Sequence, residues 1–210
     1  MSTPKTEPLP ARFYAQPTLR VAEALLGKVL SHDTPDGCAS GLIVETEAYI
    51  GEDDPACHAA AGPTPRNAPL YGPPGLSYVY FNYGMHYLVN AVTEAEGVPA
   101  AVLIRALAPL EGLQLMRARR LGSRTERRTA LVDVSLCRGP GNLTCALGIG
   151  PGQNRVPLWS GALQIRDEGH VVGPVVSGPR IGISVGQDRS WRYWVAGHPA
   201  VSGTRRRVGG

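Results

Sequence analysis

Long apolar runs and closely spaced cysteines are both missing from this sequence of 210 residues. No stretch approaches the roughly 18 uninterrupted apolar residues of a membrane span. The polar first ten residues contain no apolar signal core. The four cysteines form no Cys-x-x-Cys pair, so the spacing of a zinc site is absent. We therefore expect a soluble cytoplasmic protein with reduced thiols, no metal and no membrane partner.

Lysine is scarce as well, since only Lys5 and Lys28 occur, and arginine supplies nearly all the positive charge of a chain with net charge +4. The planar guanidinium donates two parallel hydrogen bonds and therefore suits phosphate. Arginines are densest between residues 117 and 128, and three more stand at 205–207. So small an excess indicates nucleic acid only weakly. We expect the basic tail 204–210 to be a disordered, solubilising end.

Internal repeats and long linkers are absent, whereas glycine (26 residues) and proline (19 residues) are frequent and widely spread. This favours many short elements joined by turns over a helical bundle. We predict an α+β fold, with a single domain at 11–203 that follows a disordered N-terminus at 1–10. Its sheet is curved, mainly antiparallel and barrel-like, and short helices flank it. The predicted strands cover 39–50, 76–82, 87–92, 101–107, 163–166, 180–185 and 193–196, and the predicted helices cover 17–26, 109–120 and 139–147.

Two carboxylates and a tyrosine alternate along the first predicted strand. Because side chains alternate in a strand, Glu45, Glu47 and Tyr49 share one face. That face is either solvated or, if covered, its carboxylates need partners or a catalytic task. Arg105 lies within an apolar strand and needs a carboxylate partner, for which Glu45 and Glu47 are the natural candidates. A structural ion pair explains these residues equally well.

An aromatic stripe follows on the next predicted hairpin. Tyr78, Tyr80 and Asn82 share one strand face, and Tyr83 falls where the strand turns. Such a stripe is usually packing, but an aromatic residue at a turn often serves binding. Asn90 lies in an otherwise apolar strand, and a buried amide must be hydrogen-bonded. It is either a satisfied structural amide or a group that reads the edge of a base.

Taken in order, these stretches closely resemble the alkyladenine (3-methyladenine) DNA glycosylase family over roughly residues 13–202. The resemblance implies a single domain on a curved antiparallel sheet, without metal or cofactor. It also implies a monomer whose partner is double-stranded DNA containing damaged purines. The residues that carry it are 44–49, His58, 64–67, 78–80, 83–85, Asn90, 103–107 and 109–112.

The resemblance also implies a role for each matching residue. Glu47 corresponds to the general base that activates water, and Arg105 to the group that holds this water and the carboxylate. The remaining roles fall to the base-pocket residues Tyr49, His58, Tyr80 and Asn90, the intercalating wedge Tyr83, and the DNA contacts Arg66, Met85 and His86.

The expected activity is that of a monofunctional glycosylase in base excision repair, nucleoid-associated in a bacterium. It flips alkylated or deaminated purines and hydrolyses the N-glycosidic bond by water attack. No lysine lies in or near the motifs, which argues against a Schiff-base lyase step. Asn142 and His86 depart from the family's usual lysine and tyrosine, and these departures affect affinity and lesion range.

Two other functions remain open from the sequence. The arginine cluster and the aromatic turn also suit a non-catalytic nucleic-acid-binding module. A metal hydrolase could use His58, His86, Glu45 and Glu47, although their spacing lacks an H-E-x-x-H-like pattern.

Overall fold

The computed structural model describes residues 7–82, 84–122 and 131–203, in which eight strands and four α-helices alternate with short 3-10 turns. The strands are β1 Val29–Thr34, β2 Gly37–Ile50, β3 Ser77–Asn82, β4 His86–Val92, β5 Ala100–Glu111, β6 Leu163–Arg166, β7 Val175–Gly178 and β8 Arg192–Val195. The helices are α1 Ala11–Tyr14, α2 Thr18–Ala24, α3 Leu113–Gly122 and α4 Pro140–Leu147, and the 3-10 turns are His58–Ala61, Ala68–Tyr71, Asp133–Ser135 and Pro151–Gln153.

All strand pairs described are antiparallel, in the order β3-β4-β5-β2-β1-β6. Strand β8 pairs with the second half of β2, and β7 pairs with β8. The long β2–β5 pair contains register shifts between Ser40 and Gly41 and on both sides of Glu45. Such bulges bend a strand and increase its twist. The result is a curled half-barrel, which confirms the predicted α+β class and antiparallel curved sheet.

The two faces of β2 are covered by different parts of the chain. Helix α2 packs on one face, where the Thr46 hydroxyl donates a 2.8 Å hydrogen bond to the carbonyl of Ala22. Ile43 and Ile104 join the large apolar cluster beneath the helices, and burying such a side chain contributes about 1.5–3 kcal/mol. The opposite face carries Glu45 and Glu47, whose hydrogen-bond partners come from β5, β8 and the segments around residues 181 and 202.

Most predicted elements are confirmed within two residues at each end, but the boundary between strand and helix near residue 109 and the strand over 180–185 are wrong. The helix expected from residue 109 begins at Leu113, because β5 continues through Glu111. Gly112 makes the transition with φ +76°, packed against the backbone of Cys38 and Ala39 where no side chain would fit. The strand predicted over 180–185 is a loop. Strands β1 and β7 were not predicted.

The N-terminal boundary also differs from expectation. The prediction of disorder over 1–10 is wrong for residues 8–10, because Leu9 is buried and its N–H donates to the carbonyl of Ile165 at 2.8 Å. Residues 1–6 and the basic tail 204–210 lie outside the described residues, as do 123–130 within the arginine cluster. Among the helices that the structure describes, none is long and apolar enough to cross a membrane.

Candidate active site

A cavity of about 380 Å³ opens between the β3–β4–β5 end of the sheet and the segment at 181–185. Its volume falls in the usual range of small-molecule sites, about 300–1,000 Å³. The structure brings together there all four predicted base-pocket residues and Arg105. These cavity-lining residues are Tyr49, His58, Tyr80, Asn90 and Arg105.

One wall of the cavity is aromatic. Tyr78 and Tyr80 project from the same face of β3, as predicted, with ring centroids 5.2 Å apart. The imidazole of His58 packs edge-on against Tyr80 at 4.5 Å, and its Nδ1 lies 2.8 Å from the hydroxyl of Tyr78. Burial, aided by the charge of Arg66, lowers the pKa of His58. The lowered pKa favours the neutral imidazole at neutral pH, so His58 itself adds no positive charge to this wall.

Asn90 is a buried amide with a hydrogen-bond partner, which confirms the structural interpretation of its sequence context. Its side chain is buried, and Nδ2 donates a 2.9 Å hydrogen bond to the carbonyl of Tyr78, the residue opposite it in the β3–β4 register. Because an amide has two N–H donors and an acceptor, this bond fixes the side chain and leaves further capacity. Asn90 also lines the cavity.

Glu47 lies directly behind the cavity wall rather than in it. The residue is fully buried, and its Oε2 accepts hydrogen bonds from the Tyr49 hydroxyl at 2.9 Å and from Arg105 Nη1 at 3.1 Å. Its Oε1 accepts the backbone N–H of Ile181 at 2.7 Å. Tyr49, Arg105 and Ile181 all line the cavity. The solvated-face alternative is therefore excluded, and the carboxylate lies one side chain away from the cavity.

The protonation of Glu47 reflects two opposed influences. Burial raises the pKa of this carboxyl, because removal from water disfavours the charged form. Arg105, the Ile181 N–H and the Tyr49 hydroxyl lower it, but the net direction is upward. A raised pKa makes the carboxylate a stronger proton acceptor near neutral pH.

Glu45 is equally buried but has a different set of partners. Its Oε1 accepts from Arg105 Nε at 3.0 Å, from Arg192 Nε at 2.7 Å and from the Ser202 hydroxyl at 2.9 Å. Its Oε2 accepts the Ser202 N–H at 2.7 Å. Arg105 thus makes the structural ion pair and the contact with Glu47 at once, and both predicted partners are confirmed.

The three residues predicted to touch DNA are all exposed. Arg66 Nη2 donates to the carbonyl of Phe81 at 3.1 Å, and its guanidinium carbon lies 6.0 Å from the ring centre of Tyr80. Met85, at the β3–β4 turn, is 69% exposed. His86 packs on Gly141 at the start of α4. Tyr83, the predicted wedge, lies outside the described residues.

Sequence reasoning missed three parts of this site. The wall at 181–185 was read as a strand, although glycines at 182 and 186, with φ of +78° and +64°, are typical of a loop. Tyr78 was read only as part of the aromatic stripe. Asp54, whose carboxylate pairs with Arg180 next to the wall at 181–185, was not among the candidate site residues. The metal-hydrolase alternative lacks a ligand set, because the described residues contain no group of three His, Cys, Asp or Glu side chains placed to hold an ion.

Comparisons with known proteins agree with this geometry. The family model described as methylpurine-DNA glycosylase (MPG) matches residues 12–199. A relative from Rubrobacter xylanophilus is 52% identical over 187 residues, which cover 89% of this chain and 92% of the relative. One from Chlorobaculum tepidum is 46% identical over 200 residues, covering 94% and 91%. Both are provisionally named as 3-methyladenine DNA glycosylases. The family model and these relatives span nearly the whole domain, and the chain therefore belongs to the methylpurine-DNA glycosylase family.

Proposed function

We propose that this DNA glycosylase flips a damaged purine out of double-stranded DNA into the aromatic cavity and hydrolyses its N-glycosidic bond with water activated by Glu47. Family membership makes the chain a hydrolase of N-glycosidic bonds in DNA. The observation that carries the finer proposal is the position of Glu47. It is a buried carboxylate whose three hydrogen-bond donors, Tyr49, Arg105 and Ile181, all form the cavity wall.

Base flipping follows from the geometry of the substrate. A stacked purine hides its glycosidic bond, so the enzyme must extrude the nucleotide at a cost of a few kcal/mol. The exposed β3–β4 turn with Met85 can touch the duplex, and Tyr83 is proposed to fill the gap in the stack. Arg66, which donates to the carbonyl of Phe81, and His86, at the start of β4, are both exposed and are proposed as further DNA contacts.

The aromatic wall favours an alkylated purine, the class to which the names of the relatives point. Alkylation at N3 or N7 gives the ring a positive charge. A cationic ring stacked on Tyr80 or Tyr49 gains on the order of 0.5–2 kcal/mol from cation–π attraction. His58 is neutral and adds no repulsion, so Arg66, whose guanidinium carbon lies 6.0 Å from the ring centre of Tyr80, is the cation beside this wall. Asn90 is proposed to discriminate between purine substituents at the inner end of the cavity.

In the proposed reaction, the bond between C1′ and the purine nitrogen breaks and its electron pair leaves with the base. The sugar passes through an oxocarbenium-like state, as in glycoside hydrolysis. Water attacks C1′, its proton passes to Glu47, and the negative carboxylate stabilises the developing positive charge. Arg105 holds both the carboxylate and the water. The products are a free purine and an abasic sugar. This scheme requires water to reach Glu47 where Tyr49, Arg105 and Ile181 meet.

A lyase step is not part of the proposal. The residues lining the cavity include no lysine, whose amine would be needed for a Schiff base. Lys28 forms an ion pair with Asp167 at 2.6 Å, and neither residue lines the cavity. We further propose that the enzyme works as a monomer on duplex DNA.

Base release tests the proposal directly. Duplexes carrying 3-methyladenine, 7-methylguanine, hypoxanthine or ethenoadenine are incubated with the protein, and free purine and strand cleavage are measured separately. The expected result is release of purine from at least the cationic lesions, with strand breaks only after alkali. Salt-dependent duplex binding without any free purine would instead identify a non-catalytic binding module. Strand cleavage without alkali, trapped by borohydride, would contradict the monofunctional mechanism.

A further inference from the structure

A second buried ion pair, Asp54–Arg180, lies beside Glu47. Both side chains are fully buried, and the pair is bidentate, with Arg180 Nη1 2.6 Å from Oδ2 and Nη2 2.8 Å from Oδ1 of Asp54. Arg180 Nη1 also donates to the carbonyl of Ala48 at 2.9 Å. Ala48 stands between Glu47 and Tyr49 in β2. The pair therefore fixes the segment that begins at residue 180 to the strand that carries Glu47.

The guanidinium of Arg180 also orients an aromatic residue of the cavity. Its central carbon lies 4.6 Å from the ring centre of Tyr49 and 5.2 Å from that of Trp191. In the part of the chain that the structure describes, its Nε has no hydrogen-bond partner. The position of Arg180 is thus set by Asp54 and by these two ring faces, and Tyr49 is held between Arg180 and its own hydrogen bond to Glu47.

The segment anchored in this way forms a wall of the cavity. Ile181, next to Arg180, donates its N–H to Glu47, and residues 181–185 line the cavity. At the end of this loop, Arg180 Nη2 donates a 3.4 Å hydrogen bond to the carbonyl of Gly186. A Cβ on Gly186 would lie 3.0 Å from Nη2, and φ there is +64°. The close approach therefore depends on glycine at this position.

We infer that the Asp54–Arg180 pair is a positioning device for base excision: it holds the Ile181 N–H on Glu47 and the loop 181–185 against the cavity. Neither side chain is among those that line the cavity, so the pair acts through Ile181 and Tyr49. Two fully buried charges are a poor source of net stability, because desolvation offsets most of their attraction. The inference rests on the proposed role of Glu47 as the base.

The pH dependence of the excision rate distinguishes a positioning role of the Asp54–Arg180 pair from a role in stability alone. The charged and titratable groups around Glu47 are Arg105, Tyr49, Glu45, Tyr80 and Arg180. The Ile181 N–H favours the charged carboxylate. If this contact is lost, the pKa of Glu47 rises further. The acidic limb of the pH–rate profile, where excision slows as the pH falls, then moves to higher pH. A loss of stability alone would lower the amount of folded enzyme without moving that limb.

The test compares Asp54→Asn and Arg180→Lys with Asp167→Asn, a matched control. That control makes the same carboxylate-to-amide change in the Lys28–Asp167 pair, outside the cavity lining. Single-turnover release of purine from an alkylated duplex is measured across pH, together with duplex affinity and melting temperature. We expect the first two variants to lose on the order of tenfold to a hundredfold in rate. The acidic limb should move to higher pH in Arg180→Lys, which keeps the positive charge near Glu47. It should move less in Asp54→Asn, because the uncompensated charge of Arg180 then lowers the pKa of Glu47. Duplex affinity should change little, and Asp167→Asn should keep the wild-type profile.

Folded Asp54→Asn and Arg180→Lys with a wild-type rate and limb would overturn the inference. If neither variant folds, Gly186→Ala provides a milder perturbation, because its methyl group contacts Arg180 Nη2. A limb shift in that variant supports the inference, and an unmoved limb contradicts it. Glu47→Gln is measured in parallel. Full activity of Glu47→Gln would defeat the proposed function itself, whereas an inactive Glu47→Gln beside a normal Asp54→Asn would defeat only the positioning role.

Discussion

Glu45 and Glu47 are two residues apart on one face of β2, both fully buried and both bonded to Arg105, yet their surroundings differ. Glu45 has two guanidinium partners and both polar groups of Ser202. Glu47 has one guanidinium, one phenol and one backbone N–H, and all three donors belong to the cavity wall.

This difference is the basis for the proposal that Glu45 is a structural carboxylate and Glu47 the catalytic one. Arg105, Arg192 and Ser202 compensate the charge of Glu45, and Glu45 in turn fixes the guanidinium of Arg105. At Glu47, burial outweighs the weaker set of partners and raises the pKa of the carboxyl. The segments that cover β2 therefore give two identical side chains different sets of hydrogen-bond partners.

The largest effect is expected when Glu47 is replaced. Glu47→Gln keeps the size of the side chain but removes the proton acceptor, and general-base catalysis contributes about 10²–10⁴-fold in rate. We expect the single-turnover rate of purine release to fall by that factor, while fluorescence anisotropy shows lesion-duplex binding close to wild type. Wild-type release by Glu47→Gln would show that the contrast between the two glutamates has no catalytic meaning.

Replacement of Glu45 should instead reduce stability. Glu45→Gln leaves Arg105 and Arg192 without their shared counter-charge, and breaking a buried ion pair costs about 3–5 kcal/mol. Denaturant unfolding measures this loss, and excision per folded molecule should fall much less than in Glu47→Gln. A variant as stable as wild type but inactive in excision would reverse the assignment of the two residues.

A finer pair of variants removes one hydroxyl donor from each carboxylate. Burial, followed by the nearby Glu47, raises the pKa of Tyr49, so its phenol stays protonated and donates to the carboxylate. Tyr49→Phe removes that donor, and because the hydrogen bond lowers the pKa of Glu47, its loss raises that pKa further. The acidic limb of the rate profile should shift to higher pH.

Ser202→Ala is the comparison variant for Tyr49→Phe, because it removes the hydroxyl that donates to Glu45. It should lower the melting temperature without moving the acidic limb. A shifted limb in Ser202→Ala together with an unmoved limb in Tyr49→Phe would contradict the distinction between the two sites.

Local periodicity was enough to predict much of this site. Alternation along β2 and β3 placed Glu45 with Glu47, and Tyr78 with Tyr80, on single faces, because residues two apart in a strand point the same way. The need of a buried arginine for a carboxylate then connected Arg105 with both glutamates.

Contacts between distant segments were not predictable in this way. The Ile181 N–H donates to Glu47, although the two residues are 134 positions apart in the chain. No local periodicity of the sequence predicts such a contact. The apolar residues at 181, 183 and 185 imitate a strand because they line a cavity rather than a sheet. Strand β1 was missed because it carries His32 and Asp33, although His32 is buried against the carbonyl of Leu147 at 2.8 Å.

The pH dependence of excision on one cationic alkylpurine tests the role of Glu47 most directly, because a cationic base leaves without needing a proton. A raised pKa means that Glu47 is protonated, and inactive as a base, at higher pH than an exposed glutamic acid, whose pKa is about 4.3. The wild-type rate should therefore decline on the acid side above that value. Glu45→Gln should keep an acidic limb, moved to lower pH because the charge of Glu45 helps to raise the pKa of Glu47. Glu47→Gln should be slow at every pH and should show no acidic limb. A Glu47→Gln enzyme that retains the wild-type limb would contradict the account.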